Sequence, residues 1–274
     1  MGLSRRAAIK GVLATTIGAI TGAGAYGVVY ERHHLGITRV DLPVSGLAAA
    51  LDGIRVGFIT DIHHSEMVPA DDVARAVTLV TGEHPDLIVL GGDYVTWGDR
   101  DFVGPVAELL APLKAPHGVF AILGNHDDDR DMPAALAARH IAVLRDARSR
   151  IEINGEGLEL AGIRFWTRRA EDVNRVIRRA KSTLLLLAHD PRRLVEAAGL
   201  GVPAVLSGHT HGGQVVIPGF GALARRSFPV IAGLGRRGAT TMFVSRGVGT
   251  VYVPVRINCP PEVAIVTLRR KSQI

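Results

Sequence analysis

The chain has 274 residues, 47% hydrophobic and 21% charged, with a formal net charge of +6. That length fits one large domain or two small ones, and the composition excludes a disordered chain. Arg5, Arg6 and Lys10 lie in an acid-free N-terminal segment, and taking these three charges from +6 leaves +3, too modest a balance for a nucleic-acid binder.

The segment Ser4-Arg5-Arg6-Ala7-Ala8-Ile9-Lys10 precedes an uncharged stretch from Gly11 to Tyr30. A charged start, an apolar middle and small residues at Ala23-Gly24-Ala25 have the make-up of an export signal. The paired arginines followed by a lysine resemble the twin-arginine signal, whose machinery carries folded proteins. Left uncleaved, twenty uncharged residues also suffice to span a bilayer. Residues 1–30 are therefore expected to be a signal or membrane anchor, with the remainder on the extracytoplasmic face, in the periplasm or in the cell wall. Residues 31–50, with Pro43 and the run Ala48 to Ala50, read as a linker, and 51–270 as the folded domain.

Ile54 to Thr60 reads as a buried strand delivering Asp61-Ile62-His63-His64, and Asp71 to His84 as a helix stopped by Pro85. Leu87 to Leu90 is a second strand ending in Gly91-Gly92-Asp93, followed by a helix around Val103 to Leu113. Gly118 to Leu123 is a third strand, ending in Gly124-Asn125-His126-Asp127. Three apolar strands that each end in ligand-type residues share one edge of one sheet, where open α/β sheets place their sites. Ile151-Glu152-Ile153 and Leu158-Glu159-Leu160 alternate around Asn154-Gly155, a hairpin signal. A basic helix is expected from Glu171 to Lys181, and Leu184 to Leu187 is a strand ending in Ala188-His189-Asp190-Pro191. Val202 to Leu206 leads into Ser207-Gly208-His209-Thr210-His211-Gly212-Gly213-Gln214. Antiparallel strands are expected at Val215 to Ile217, Thr240 to Val244 and Glu262 to Leu268. The lone Cys259 excludes an internal disulfide framework and reads as a small core residue.

In chain order the motifs are Asp61-x-His63, Gly92-Asp93, Gly124-Asn125-His126-Asp127, His189 and Gly208-His209-x-His211. This set resembles the calcineurin-like metallophosphoesterase superfamily, and within it the twin-arginine-exported bacterial phosphodiesterase branch. The likeness to that branch extends to Leu51-Asp52-Gly53-Ile54-Arg55, Ser245-Arg246-Gly247-Val248-Gly249 and Asn258-Cys259-Pro260-Pro261-Glu262. The resemblance implies an α/β fold, a four-layer α/β/β/α sandwich of two mixed sheets flanked by helices. It implies two divalent metal ions (manganese, iron, zinc or cobalt) bridged by Asp93. Asp61, His63 and His211 would complete one site, and Asn125, His189 and His209 the other. A water shared by two cations loses its proton near neutral pH and attacks phosphorus. By the same resemblance His126 faces the leaving group, and Asp127 is grouped with it on the catalytic side as its partner.

The expected activity is hydrolysis of a phosphoester, most readily a phosphodiester, with a phospholipid or a cell-envelope polymer among the substrates it leaves open. Two alternatives stand beside it: a lipid-linked or UDP-diacylglucosamine-type pyrophosphate hydrolase, and a metal-holding envelope protein without turnover. A protein phosphatase would carry an acid and an arginine after Gly92-Asp93, where this chain has Tyr94 to Gly98, with Asp99 and Arg100 left to a loop. His64 reads as a substrate contact or a solvated histidine. Arg225, Arg226, Arg236, Arg237 and Arg246 read as a rim for an anionic substrate or lipid heads, or as scattered solvated charges.

Overall fold

Short apolar runs decide the layers. In the computed structural model, which describes residues 15, 18, 21–222 and 227–271, Leu87 to Leu90 form a fully buried strand. Successive side chains of a strand point to opposite faces. Leu87 and Val89 accordingly meet a second sheet, while Ile88 and Leu90 meet helices. Thr183–Leu187 does the same, with Leu185 and Leu187 turned to the facing sheet and Leu184 and Leu186 to helices. Strands buried on both faces read as unbroken apolar runs rather than as alternation.

The first sheet contains β1 (Gly36–Val44), β2 (Arg55–Ile59), β3 (Leu87–Leu90), β4 (Val119–Ala121) and β5 (Ala142–Val143). With β14 (Glu262–Arg270) it runs in the order β1-β14-β2-β3-β4-β5. The second contains β6 (Ala147–Ile153), β7 (Glu156–Gly162), β8 (Thr183–Leu187), β9 (Ala204–Ser207), β12 (Gly233–Arg237) and β13 (Thr240–Val244), in the order β12-β13-β9-β8-β7-β6. A two-stranded ribbon, β10 (Val216–Ile217) with β11 (Gly221–Ala222), stands apart. Helices α1 (Ala70–Gly82), α2 (Val103–Leu110) and α3 (Met132–Ala137) cover the outer face of the first sheet, and α4 (Ala170–Ile177) and α5 (Leu194–Gly199) that of the second. The inner faces meet through residues such as Phe58 and Phe243, whose rings pack edge to face at 6.4 Å. The result is the expected four-layer α/β/β/α sandwich.

β2, β3 and β4 are parallel neighbours, as their shared edge requires, and β7, β8 and β9 are parallel in the facing sheet. Asn154 and Gly155 both adopt positive φ, 53° and 80°, in the turn between β6 and β7. Cys259 is buried. β13 and β14 are mixed rather than purely antiparallel: β13 runs parallel to β9, and β14 parallel to β1.

Residues 31–50 are not a linker. β1 pairs along its whole length with β14, and Leu42, Val44 and Leu47 join the inter-sheet core. Pro43 suggests a break, yet β1 is an edge strand, where a missing N–H costs no ladder bond. Glu31 is also buried, its carboxylate accepting from the amides of Cys259 at 2.6 Å and Asn258 at 3.1 Å. Ahead of it, residues 21–29 are helical. The twin-arginine segment, together with Arg225 and Arg226, lies outside the described residues. Among the described residues no helix is long and apolar enough to cross a membrane.

Candidate metal centre

Strands β2, β3 and β9 end by turning out of the pleat. Asp61, His63, Asp93, His209 and His211 all have positive φ, between 50° and 72°, a conformation uncommon for residues with a Cβ. It costs about 1–3 kcal/mol per residue and persists where the surroundings enforce it. In the sequence Gly208-His209-Thr210-His211 this lets both imidazoles leave the end of β9 on the same side. The crowding is tightest at two glycines. A Cβ on Gly208 would collide with the Asp61 carboxylate, and one on Gly124 with that of Asp93.

The donors form two groups whose ligand atoms lie within 4.8 Å of one another: Asp61, His63 and His211, and Asp93, His189 and His209. His63 Nε2 and His211 Nε2 face each other at 3.1 Å, and His211 Nε2 is 3.5 Å from Asp61 Oδ1. Asp93 Oδ2 lies 3.1 Å from His189 Nε2 and 3.5 Å from His63 Nε2, so this carboxylate joins the groups. Asn125 Oδ1 is buried without a hydrogen-bond partner. Buried amide oxygens are rarely left so, and imidazole, carboxylate and amide donors together suit a first-row divalent ion. The residues present fit the two-ion requirement.

Supporting hydrogen bonds aim the donors. His189 Nδ1 donates to Gly91 O at 2.8 Å, which leaves Nε2 for the centre. Asp61 accepts from the His209 amide at 2.9 Å and from Thr60 Oγ1 at 2.7 Å, and Asp93 Oδ1 accepts from the His126 amide at 2.8 Å. Behind Asp61, Val248 and Gly249 donate to the carbonyls of Thr60 and Asp61. That loop is held by Arg256, a fully buried guanidinium donating to the carbonyls of Arg246, Gly247, Gly249 and Cys259.

Most of the donors are in the form that a cation needs. Burial pushes His63 down to about 3, and burial with the neighbouring His63 pushes His211 well below its ordinary value, so both rings are neutral, the form in which imidazole can bind a cation. Burial, then the His189 charge, lowers His209 to about 4. Burial also opposes a charge on Asp93, but the His189 ring outweighs it and holds the carboxyl far below the carboxylate range. His189 is the converse: burial lowers it, and Asp93 and Asp61 raise it to about 10. Burial raises Asp61 to about 6.

His126 stands beside these groups, its ring edge to face with His63 at 4.9 Å and tilted against Trp97 at 4.6 Å. Its Nδ1 accepts from the Trp97 amide at 3.1 Å, so the proton of the neutral ring is carried on Nε2. Trp97 in turn meets Tyr252 at 5.2 Å. On the other side Phe165 packs on His209 at 5.3 Å and on Trp166 at 4.8 Å, with the Arg168 guanidinium 4.8 Å over the Trp166 ring. The aromatic banks carry no spacing or motif that marks them in the sequence. Only the fold brings residues 97 and 252 beside His126, and 165 beside His209.

Two expectations need correction, and of the two readings of the downstream arginines the rim is set aside. Asp127 does not partner the His126 ring. Its oxygens accept from the amides of Asp93 and Gly124 at 2.8 Å and of Tyr94 at 2.6 Å, so it ties the loops after β3 and β4 together. Burial and the neighbouring Asp93 charge raise it to about 7. His64 is neither a substrate contact nor solvated: it is buried, with Nδ1 2.9 Å from Val68 O and its ring against Phe102. Arg246 is bound to Glu262 and Thr38, so it forms no rim, and Arg236 and Arg237 are exposed on the edge strand β12. Asp99 and Arg100 do belong to a loop, where Asp99 caps a short 3-10 turn and Arg100 pairs with Asp131.

The family model for calcineurin-like phosphoesterase matches residues 54–213. The chain is similar to an uncharacterized metallophosphoesterase of Aquifex aeolicus, 32% identical over 91% of this chain and 97% of the relative. It is likewise similar to the phosphodiesterase YaeI of Escherichia coli, 30% identical over 78% and 82%, and to the uncharacterized metallophosphoesterase YkuE of Bacillus subtilis, 29% identical over 97% and 98%. The crystal structure of TT1561 of Thermus thermophilus shares the fold at TM-score 0.50 and 10% identity, covering 72% of this chain and 90% of that one. With donor groups for two divalent ions at its strand ends, the chain belongs to the calcineurin-like phosphoesterases and is a metal-dependent phosphoric ester hydrolase.

Proposed function

We propose that the protein is an exported phosphodiesterase. The observation that carries the diester reading is the exposed aromatic pair beside His126, Trp97 with Tyr252. A phosphodiester carries two organic arms where a monoester carries one. The exposed Trp97 and Tyr252 rings beside His126, and the exposed Trp166 ring beyond Phe165, offer the arms a surface. The relative YaeI, named a phosphodiesterase, supports the same choice.

When bound, two divalent ions supply an acidified water and neutralise charge on the transferring phosphoryl group. The protein's own part is placement. Asp93 spans the two donor groups, and Asp61, His63 and His211 on one side and Asn125, His189 and His209 on the other surround it. His126, fixed through Nδ1, holds the proton of Nε2 against the departing oxygen and stabilises its charge. Asp127 keeps the Asp93 and Asn125 loops in register.

Export by the twin-arginine route rests on Ser4 to Lys10 and on the uncharged stretch behind them. Loading metal before transit is compatible with a route that carries folded protein, and places the enzyme on the extracytoplasmic side. The test of the activity compares hydrolysis of bis(p-nitrophenyl) phosphate with that of p-nitrophenyl phosphate by chelated, then metal-reconstituted protein. Metal-dependent preference for the diester is the expected result, and preference for the monoester would reassign the enzyme as a phosphatase.

A further inference from the structure

Exposed apolar side chains beside His126 and farther from the metal centre are tied together by one backbone segment, residues 252–257. Trp97, tilted against His126, touches Tyr252, and the two rings are 65% and 69% exposed. Both residues are held outward by backbone with positive φ, 55° and 63°, and a tight turn from Val253 N to Val251 O at 2.7 Å presents Tyr252 at its apex. Val253 follows, half exposed. The same segment then meets two further elements. Ile257 bonds Val216, which roots the β10–β11 ribbon whose Ile217 and Phe220 are exposed, Phe220 at 85%. Arg256 donates its amide to Gly27 O, so helix 21–29 lies on this segment, with Val29 exposed at 74%.

Exposed apolar side chains gathered around one segment mark a docking site. What covers it is indicated by the chain that arrives there. Residues 11–30 are uncharged for twenty positions, and their described end is this helix, fastened to the domain by the buried Glu31 carboxylate. That length and composition suit entry into a bilayer. Exposed tryptophan and tyrosine beside aliphatic side chains are the residues that settle at a membrane–water interface. We propose that this face seats on a lipid bilayer, so that the metal centre receives a phosphodiester headgroup from the membrane surface, with His126 on the lipid side. The substrate half of this proposal rests on the phosphodiesterase reading above; the docking half does not.

The chain has two tryptophans, so Trp166→Phe leaves Trp97 as the sole fluorophore. The full-length variant is mixed with vesicles of phosphatidylcholine and phosphatidylglycerol, with and without brominated acyl chains. Docking shifts Trp97 emission to the blue and makes the bromolipid quench it. A second protein, carrying Val253→Asp and Phe220→Asp, loses the quenching and cleaves vesicle phospholipid slower by on the order of tenfold. It still cleaves bis(p-nitrophenyl) phosphate at the parent rate, which shows that its fold is intact.

A chain that sediments with vesicles while Trp97 keeps a water-exposed spectrum is tethered only by its N-terminus, and overturns the docking. Failure to sediment overturns it as well. Quenching with cleavage of the soluble diester but not of phospholipid overturns the substrate half, as would occur if the substrate were an envelope polymer. Quenching with cleavage of neither would remove the phosphodiesterase reading and leave the docking standing.

Discussion

His189 Nε2 lies 3.1 Å from Asp93 Oδ2, an imidazole from one sheet set against a carboxylate from the other. In the metal-free protein this pair carries a proton that an ion must displace. The folded value of His189, raised to about 10, stands above its ordinary value of 6.5. The pair's contribution to stability is therefore fully present below about pH 6.5 and is lost as pH rises toward 10. Over the same interval metal affinity of this group climbs by about tenfold per pH unit, because binding releases one proton. Chelator-competition titrations at pH 7 and pH 8 measure this, and equal affinities at the two would show that no proton is displaced.

Gly208 and Gly124 test how closely backbone approaches the ligands. Gly208→Ala presses a methyl group on the Asp61 carboxylate, and Gly124→Ala on that of Asp93. Each is expected to lower metal affinity by about 10–100-fold, the scale of lost supporting contacts. Circular dichroism should show an unchanged fold. Undiminished metal affinity in both would mean that the carboxylates are free to move.

Asp127 separates positioning from chemistry. Asp127→Asn leaves at most one side-chain acceptor facing the amides of Asp93, Gly124 and Tyr94. A loss of about 3 kcal/mol in stability is expected from amides left unpaired. Metal content should fall in step with activity. Full metal occupancy with lost turnover would instead restore Asp127 to the reacting group.

His126 should behave oppositely. Its amide holds Asp93, but its ring belongs to neither donor group. His126→Ala is expected to bind both ions and lose about 10²–10⁴-fold in kcat. The loss should shrink for a diester with a good leaving group such as p-nitrophenolate, which needs little help to depart. An equal loss for good and poor leaving groups would place His126 elsewhere in the reaction.

The donor residues were legible because chemistry and periodicity coincide there: each apolar run is buried on both faces, so polar residues can first appear where the strand stops. Asp61, Asp93, Asn125, His189 and His209 all mark such ends. β1 was hidden because its partner β14 lies more than two hundred positions later and Pro43 imitates a break. The direction of Asp127 was hidden for a different reason. A carboxylate two residues after a ligand can serve a proton, an ion or an amide, and only the positive φ of Asp93, which turns the amides of residues 93 and 94 toward it, decides among them. The aromatic banks were illegible because nothing local distinguishes Trp97 or Tyr252 from core residues. Their exposure follows from turns that the fold imposes.

The most direct test of a centre built on two joined donor groups is a titration of chelated protein with manganese or zinc, following bis(p-nitrophenyl) phosphate hydrolysis at each addition. Activity should stay near zero through the first equivalent and rise across the second, and Asp93→Asn should abolish it. Full turnover at one equivalent, or two bound ions with no hydrolysis at all, would contradict the assignment.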